Sequence, residues 1–493
     1  MLILPLLLSL LSASAVQQDP RPNILYIISD DLRAELGAYG APTLTPHLDA
    51  LASRGLLFRN AFCQISVCSP SRHSFLSGRR PDRDGVWNFI DASPLNASAI
   101  PSHFRNNGYL TLGLGKTFHE DGGAWNAAAM WSPDRPYYPY TSNACPHGDE
   151  AGGHCTLPDS QIYDFHLLNA SLDYLSYAMA QRAATGAPFF LMTGFRDPHA
   201  PWAAPQRMYD LYNESSLAVA AHPTLGQDSP LIAWSQQLNV RLANGTQYPY
   251  GPYSPVPDWV ARDQRHAYYA AVSYVDEHVG ALLAALDAGG AAENTIIIFQ
   301  ADHGYALGEH GEWEKKSNFD HVVRVPLIIS APGRATGAVT ATLLDLVDVF
   351  PTLSALAGLP PPPDAAQLDG ADLSALFQDP TLTLKSEAFH QYPACGMSAF
   401  NQTRLSCNSV PRSQFNYMGY SLRNSQWRYT AWLEWDGVAL AGKWQGPYVE
   451  ELYAHAGDVG ASFDAFENVN LAAQLPGIAS ALRARLQQFF ERH

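Results

Sequence analysis

Residues 23–31 read NILYIISDD, a short apolar run that leads directly into two adjacent aspartates. Such a run, without a charged residue until it ends, is typical of a strand buried on both faces of a parallel sheet. Asp30 and Asp31 stand where that strand should end. Ligands of open α/β sheets bind beyond the carboxyl ends of the strands, so this stretch predicts both the fold class and the edge that carries the site.

The same arrangement recurs twice along the chain. Apolar residues 188–192 precede His199, and apolar residues 295–299 precede Asp302 and His303. Amphipathic stretches with helical spacing, such as residues 268–288, lie between the apolar runs. This alternation predicts an α/β fold in which a large, mostly parallel sheet is flanked by helices.

Length and composition predict a second, smaller unit. At 493 residues the chain exceeds one typical core. Runs rich in Tyr and Trp after residue 410 predict a small antiparallel sheet, followed by a helix over residues 478–490. We therefore expect a main domain over residues 16–410 and a C-terminal subdomain over residues 411–493.

The N-terminus predicts export. Residues 1–15 form an apolar run ending in Ala13-Ser14-Ala15, the cleavage pattern of a signal peptide. The run is too short to span a bilayer and no longer one follows, so we expect no membrane span. Sequons predict a glycoprotein of the secretory pathway. Their asparagines are Asn96, Asn169, Asn213, Asn244 and Asn401.

Cysteine spacing and net charge restrict the function classes. Cys145 and Cys155 flank one short loop and Cys395 and Cys407 another, so two disulfides are expected in an oxidising compartment. Cys63 is then left as a buried free thiol. A formal charge of −16 argues against a nucleic acid partner. An anionic substrate would need basic groups concentrated in one pocket.

The remaining cysteine carries the most specific motif. Residues 68–79 read CSPSRHSFLSGR. Taken alone, Cys68 fits a buried cysteine before a helix, but the whole run resembles the signature of the sulfatase family. The resemblance implies an alkaline-phosphatase-like fold. It also implies that the formylglycine-generating enzyme converts Cys68 to formylglycine, whose hydrate attacks a sulfate ester.

The strand-end aspartates form a candidate metal site. Asp30 and Asp31 would repel each other in a pocket unless a divalent cation neutralised them, although the pair also fits a helix N-cap with a first-turn acid. Asp302 adds a carboxylate at another strand end, where a simple turn is the alternative. Carboxylates suit Ca²⁺ or Mg²⁺ better than zinc. The family resemblance implies one Ca²⁺, which also contacts residue 68, and His303 as a further ligand where many members have asparagine.

Three further motifs resemble the branch of the sulfatase family that acts on iduronate 2-sulfate. Residues 302–315 are close to its Asp-His-Gly segment, residues 115–119 match Gly-Lys-x-Phe-His, and residues 197–201 stand at its Lys-Pro-His. The chain departs from the pattern at Tyr305, where Trp is frequent, and at Asp197, where a base is usual. Both departures could affect specificity.

These motifs imply roles for basic side chains. Negative charge develops on the sulfate oxygens during transfer, and Arg72, Lys116 and Lys315 could stabilise it. An alkoxide is a poor leaving group, so a general acid is needed, and His199 is the candidate. His119 would orient the hydrate or take its proton.

The sequence therefore predicts hydrolysis of a sulfate ester in a sulfated glycan or small molecule. The resemblance implies the 2-sulfate of terminal iduronate in dermatan or heparan sulfate-like glycans, and a lysosomal or secreted location. Three alternatives stay open: choline or another sugar sulfate as substrate, a phosphonate or phosphate monoester hydrolase of the same superfamily, and a non-catalytic glycan-binding protein.

Overall fold

The computed structural model describes most of the chain. The described residues are 18–91, 99–119, 127–141, 145, 153–235, 239–334, 336–362, 365–460 and 462–491. The predicted signal peptide and the sequon at Asn96 lie outside them. The other four sequon asparagines are all exposed. Within the described ranges, no helix is both long and apolar enough to cross a bilayer.

A nine-stranded sheet forms the centre of the main domain. Its strands are β1 (Asn23–Ser29), β2 (Leu56–Phe62), β3 (Leu110–Gly115), β4 (Tyr138–Pro139), β5 (Phe189–Phe195), β6 (Thr295–Ala301), β7 (Arg324–Val325), β8 (Leu327–Ser330) and β9 (Ala338–Asp345). The strand order is β7-β2-β8-β6-β1-β5-β3-β4, and β9 pairs with β2.

The predicted parallel strands occupy the middle of this sheet. β1 pairs in parallel with β6 and β5, and β5 pairs in parallel with β3. All seven residues of β1 are buried, which explains its apolar run. β8 is antiparallel to both β6 and β2, so the sheet is mixed but mostly parallel. The carboxyl ends of β1, β3, β5 and β6 consequently share one edge.

Helices cover both faces of the sheet, as the alternation of patterns predicted. The longer helices are α1 (Pro46–Ser53), α2 (Cys68–Ser77), α3 (Ile100–Asn106), α4 (Tyr163–Thr185), α5 (Asp258–Ala288), α6 (Val349–Leu356) and α7 (Pro476–Phe490). α5 contains the predicted helix over 268–288 and begins ten residues earlier, because Val260, Gln264 and Ala267 continue its buried face. α7 begins two residues before its predicted start, with Pro476 in its first turn.

A separate antiparallel sheet forms the C-terminal unit. Its strands are β10 (Glu387–Ala394), β11 (Tyr417–Asn424), β12 (Trp427–Asp436), β13 (Ala441–Gly442) and β14 (Tyr448–Ala454). They run in the order β10-β11-β12-β13, and β14 also pairs with β12. Because β10 pairs with β11 along its whole length, this sheet begins at Glu387, upstream of the boundary expected at residue 411.

Both expected disulfides are present. Cys145 is bonded to Cys155, and Cys395 to Cys407. Cys63 and Cys68 are free and buried. The thiol of Cys63 lies against the carbonyl oxygen of Val322 in the core of the main domain.

Candidate active site

The shared edge of the central sheet brings the predicted residues together. Asp30 and Asp31 follow β1, Lys116 follows β3, His199 lies just beyond β5, and Asp302 follows β6. Parallel strands that end at the same edge place these side chains in one region although they are far apart in sequence. α2 begins at the same edge, and its first residue is Cys68.

Four buried side chains could hold a metal ion. Asp30, Asp31, Cys68 and His303 each offer a ligand atom, and these atoms all lie within 4.8 Å of one another. The Nδ1 atom of His303 lies 3.0 Å from the carbonyl oxygen of Gly304, which can only accept, so Nδ1 carries the proton. The lone pair of Nε2 therefore faces the cluster, 3.4 Å from Oδ1 of Asp31.

Asp302 borders this cluster. Its Oδ1 atom accepts hydrogen bonds from the backbone N–H groups of Asp31 at 3.2 Å and His303 at 3.0 Å. Its Oδ2 atom lies 3.5 Å from Nε2 of His303. Three carboxylates and one imidazole, all buried, form a donor set that fits a hard divalent cation such as Ca²⁺.

Arg72 bridges the carboxylates of Asp30 and Asp302. Its guanidinium donates to Oδ2 of Asp302 and to Oδ1 of Asp30, each at 3.0 Å, and also to the carbonyl oxygen of Lys116. The side chains of Arg72, Asp30 and Asp302 are fully buried. Removal of one partner from such a buried ion pair typically costs about 3 to 5 kcal/mol. Arg72 therefore stabilises the fold as well as the site.

Two lysines face the same carboxylates. Lys116 forms an ion pair with Asp30. The Nζ atom of Lys315 lies 2.5 Å from Oδ1 of Asp31 and 3.3 Å from Sγ of Cys68. Burial alone would raise the pKa of Asp30, but Lys116 and Arg72 outweigh it and hold that pKa well below the usual range. Burial alone would lower the pKa of Lys315, but Asp31 raises it well above its ordinary value.

Cys68 lies at the centre of these charges. Its Sγ atom is 3.2 Å from Nε2 of His303 and 4.0 Å from Oδ1 of Asp31. Burial and the carboxylate of Asp30 raise the pKa of the thiol well above its ordinary value, despite the nearby lysines. An unmodified thiol here would stay protonated and would be a poor nucleophile.

Two histidines, His119 and His199, lie at the accessible side of the site, where they line its cavity. The Nδ1 atom of His199 is 2.6 Å from the carbonyl oxygen of Ala200, so its Nε2 atom faces the site, 4.0 Å from Oδ2 of Asp31. Burial and the charges of Lys116 and Lys315 lower the pKa of His199 well below its ordinary value. The ring of His119 stacks on Phe89 with centroids 4.6 Å apart.

The sequence of the main domain matches a known family model. The model for the family named Sulfatase matches residues 22–359, which contain every predicted site residue. The chain belongs to the sulfatase family. It is a sulfuric ester hydrolase.

A relative agrees with this assignment, and solved structures agree with the fold. The sulfatase is 34% identical to iduronate 2-sulfatase of Mus musculus over 492 residues, which cover 87% of this chain and 88% of the relative. The structure of BT1596, a 2-O GAG sulfatase, superimposes with a TM-score of 0.69 at 22% identity and covers 96% of this chain and 92% of that one. A phosphonate monoester hydrolase of Agrobacterium radiobacter gives a TM-score of 0.69 at 22% identity, with 96% of each chain covered. The alkaline-phosphatase-like fold is thus confirmed.

A cavity of about 230 Å³ is lined by Asp31 and Lys315, which both lie next to Cys68. Several residues that line it were expected from the sequence, but four were not. Those four are Phe89, Glu314, Lys316 and Asn408. Glu314 and Lys316 flank Lys315 and could have been found from its motif. Phe89 and Asn408 stand in no motif, because only the tertiary fold brings their loops to the site.

Asp197 does not line the cavity, although it follows β5 and departs from the family pattern. It is fully buried, and neither of its carboxylate oxygens has a hydrogen-bond partner among the described residues. Burial and the neighbouring carboxyl of Asp164 raise the pKa of Asp197 well above its ordinary value. Asp197 is therefore not a direct contact for a substrate in this cavity.

Proposed function

We propose that this sulfatase removes the 2-sulfate from a terminal iduronate, or from a close uronate analogue, of a glycosaminoglycan. The observation that carries the proposal is the position of Cys68 beside the carboxylate cluster and Lys315, because Asp31 of that cluster and Lys315 also line the cavity. The 34% identity to an iduronate 2-sulfatase over most of both chains supports the choice of substrate.

The proposed chemistry needs two groups besides the side chains. The hydrate of formylglycine at position 68, whose aldehyde the formylglycine-generating enzyme would make, would supply a hydroxyl nucleophile for the sulfur atom, and Ca²⁺ would supply Lewis acidity. Loss of the proton from the second hydroxyl would then re-form the aldehyde and expel the sulfate. Asp30, Asp31, Asp302 and His303 would hold the ion, because they place four oxygen or nitrogen donors around residue 68.

The cationic side chains act on the sulfate group. Lys116 and Lys315 are buried and rigidly paired, so they are preorganised to stabilise the charge that develops on the sulfate oxygens. Arg72 donates hydrogen bonds to the carboxylates of Asp302 and Asp30 and positions them. It therefore supports the site without facing the cavity.

The two histidines move protons. His119 lines the cavity and would take the proton of the attacking hydroxyl. His199 points its Nε2 atom into the cavity and would donate a proton to the leaving sugar oxygen. Its low pKa makes it a strong acid, and an incoming anionic sulfate raises its protonated fraction.

The shape and charge of the protein favour the end of a glycan chain. A cavity of about 230 Å³, lined by Asp31 and Lys315, has room for one sugar. The net charge of −16 gives no long-range attraction for a long polyanion, so binding depends on the local cations.

Buried carboxyl groups support an acidic compartment such as the lysosome. Burial raises the pKa of Asp82, Asp84 and Asp164 to about 6 each. These folded-state values lie above the unfolded value of about 3.9. The stability they contribute is fully present below the unfolded pKa and is lost as the pH rises through about 6. Export through the secretory pathway and glycosylation at the exposed sequons are part of this proposal.

Sulfate release from a panel of esters tests the substrate. The purified protein should act best on a disaccharide with 2-sulfated iduronate at its non-reducing end. A matched disaccharide that carries its sulfate only on the reducing-end sugar is the control, and it should react far more slowly. Better turnover of choline sulfate, a neutral sugar sulfate or a phosphonate ester would reject this substrate.

A further inference from the structure

Lys316 and Glu314 form an ion pair at the wall of the active-site cavity. The Nζ atom of Lys316 lies 3.6 Å from Oε2 of Glu314, and both side chains are 12% exposed. Both residues line the same cavity as His199 and Lys315. The pair thus stands beside the reacting centre, where a sulfated sugar would lie.

The backbone is shaped to place this pair in the cavity. Neighbouring side chains of an extended strand point to opposite sides, but Glu314, Lys315 and Lys316 all line one cavity. Positive φ angles of 73° at Glu314 and 81° at Lys316 make this possible. A non-glycine residue in that region is strained, and such strain concentrates at functional sites.

Buried contacts hold the strained segment in place. The guanidinium of Arg404, which is fully buried, donates to the carbonyl oxygen of Lys316. The hydroxyl of Ser66 donates to the carbonyl oxygen of Ser317 at 2.8 Å. The position of Lys316 is therefore set by the fold and not by its own side chain.

The charges of the site leave a specific task for Lys316. Lys315 contacts Asp31 and Cys68, so it belongs to the sulfate position rather than to a more distant group of the substrate. Lys316 is the other Lys or Arg among the described residues that line the cavity.

We propose that Lys316 recognises a second anionic group of the substrate next to the scissile sulfate, and that Glu314 competes with that group for the lysine. The second group is a sugar carboxylate or a second sulfate, which share the chemistry of an oxyanion. The pair then selects dianionic sugars against monoanionic ones. Without the second anion, Lys316 stays with Glu314 and contributes nothing to binding. The inference rests on the proposed function, since it names the second anionic group that the same site binds beside the sulfate.

The test compares kcat/KM for matched substrates. The first pair is a 2-sulfated uronate disaccharide and its carboxyl methyl ester; the second is a disulfated and a monosulfated glucosamine. A neutral aryl sulfate reports whether the enzyme turns over at all. The variants are Lys316→Met and Glu314→Gln. Lys443→Met is the control, because Lys443 forms a similar pair with Glu434 at 3.7 Å but is 48% exposed and distant from the site.

The two variants should shift selectivity in opposite directions. Lys316→Met should reduce the preference for the dianionic substrate roughly 10-fold or more, the value of a charge-assisted hydrogen bond. Glu314→Gln should lower KM for the dianionic substrate because the competitor is lost. The control should match the wild type. Loss of preference in the uronate pair alone identifies the carboxylate as the second anion, and loss in the glucosamine pair alone identifies a second sulfate.

Other outcomes overturn the inference. Equal losses on all substrates, or an unchanged preference in both variants, would show that the pair is only structural. If Lys316→Met does not fold, the Glu314→Gln variant decides alone. The inference is rejected if this variant does not have a lower KM for the dianionic substrate. Absence of wild-type turnover on every substrate, including the aryl sulfate, would instead reject the proposed function.

Discussion

Replacement of Asp82 by asparagine should stabilise this sulfatase at neutral pH and have little effect in acid. Asp82 packs against the C-terminal sheet, and its Oδ1 atom accepts hydrogen bonds from Nε1 of Trp87 at 2.9 Å and Nε2 of Gln391 at 2.6 Å. Asparagine has nearly the same shape and keeps an oxygen for both donors. Its amide N–H can donate to the hydroxyl of Tyr420, which also hydrogen-bonds to Asp82. The substitution therefore removes the ability to ionise and little else.

The size of the effect follows from the pKa. Burial raises the pKa of Asp82 to about 6, against about 3.9 in the unfolded chain. Because the folded value is the higher one, the wild type loses stability as the pH rises through about 6. Two units correspond to about 2.7 kcal/mol, and partial solvent contact reduces this to about 1 to 2 kcal/mol at pH 7. Below about pH 4 both side chains are neutral and the difference vanishes.

Urea unfolding followed by tryptophan fluorescence measures this difference. The free energy of unfolding should be higher for Asp82→Asn than for the wild type at about pH 7 and equal at about pH 4. Asp210→Asn is the control, because Asp210 also accepts an amide hydrogen bond but is exposed. A pH-independent difference, or stabilisation that is larger in acid, would refute the reasoning.

Two further predictions concern the site. His199→Ala should slow hydrolysis of alkyl sulfates about 10²- to 10⁴-fold and that of activated aryl sulfates much less, because only the alkoxide leaving group needs a proton. Equal losses on both substrates would show that His199 only binds the substrate. His222→Ala is the control, because His222 is exposed. Chelation of divalent metal should abolish activity and lower the melting temperature, and Ca²⁺ should restore both in the wild type but only at higher concentration in Asp302→Asn. A melting temperature that does not respond to Ca²⁺ would contradict a site built from Asp302, and Asp210→Asn should respond like the wild type.

The parts of the site that lie at strand ends could be predicted from the sequence. Asp30, Asp31 and Asp302 follow apolar runs, and parallel strands bring such positions to one edge. Cys68, Lys116 and His199 lie in motifs that resemble those of the sulfatase family, so these residues could also be predicted as site residues. The sequence could not show how the charges pair, because the contacts of Lys315 with Asp31 and of Arg72 with two carboxylates depend on the packing of separate elements.

Local signals were weaker in the C-terminal unit. β10 contains Pro393, and proline within a run argues against a strand. The structure tolerates it because β10 lies at the edge of its sheet. A loop closed by the disulfide between Cys395 and Cys407 then separates β10 from β11, which hides the pairing from any short-range pattern.

The chemical state of residue 68 tests the account most directly. Trypsin should release residues 60–72 as one peptide, since Arg59 precedes it and Arg72 ends it. Mass spectrometry of this peptide from active enzyme should show an aldehyde in place of the thiol, in a fraction that rises in proportion to the specific activity of the sample. A fully active sample in which Cys68 is quantitatively an unmodified thiol would contradict the mechanism.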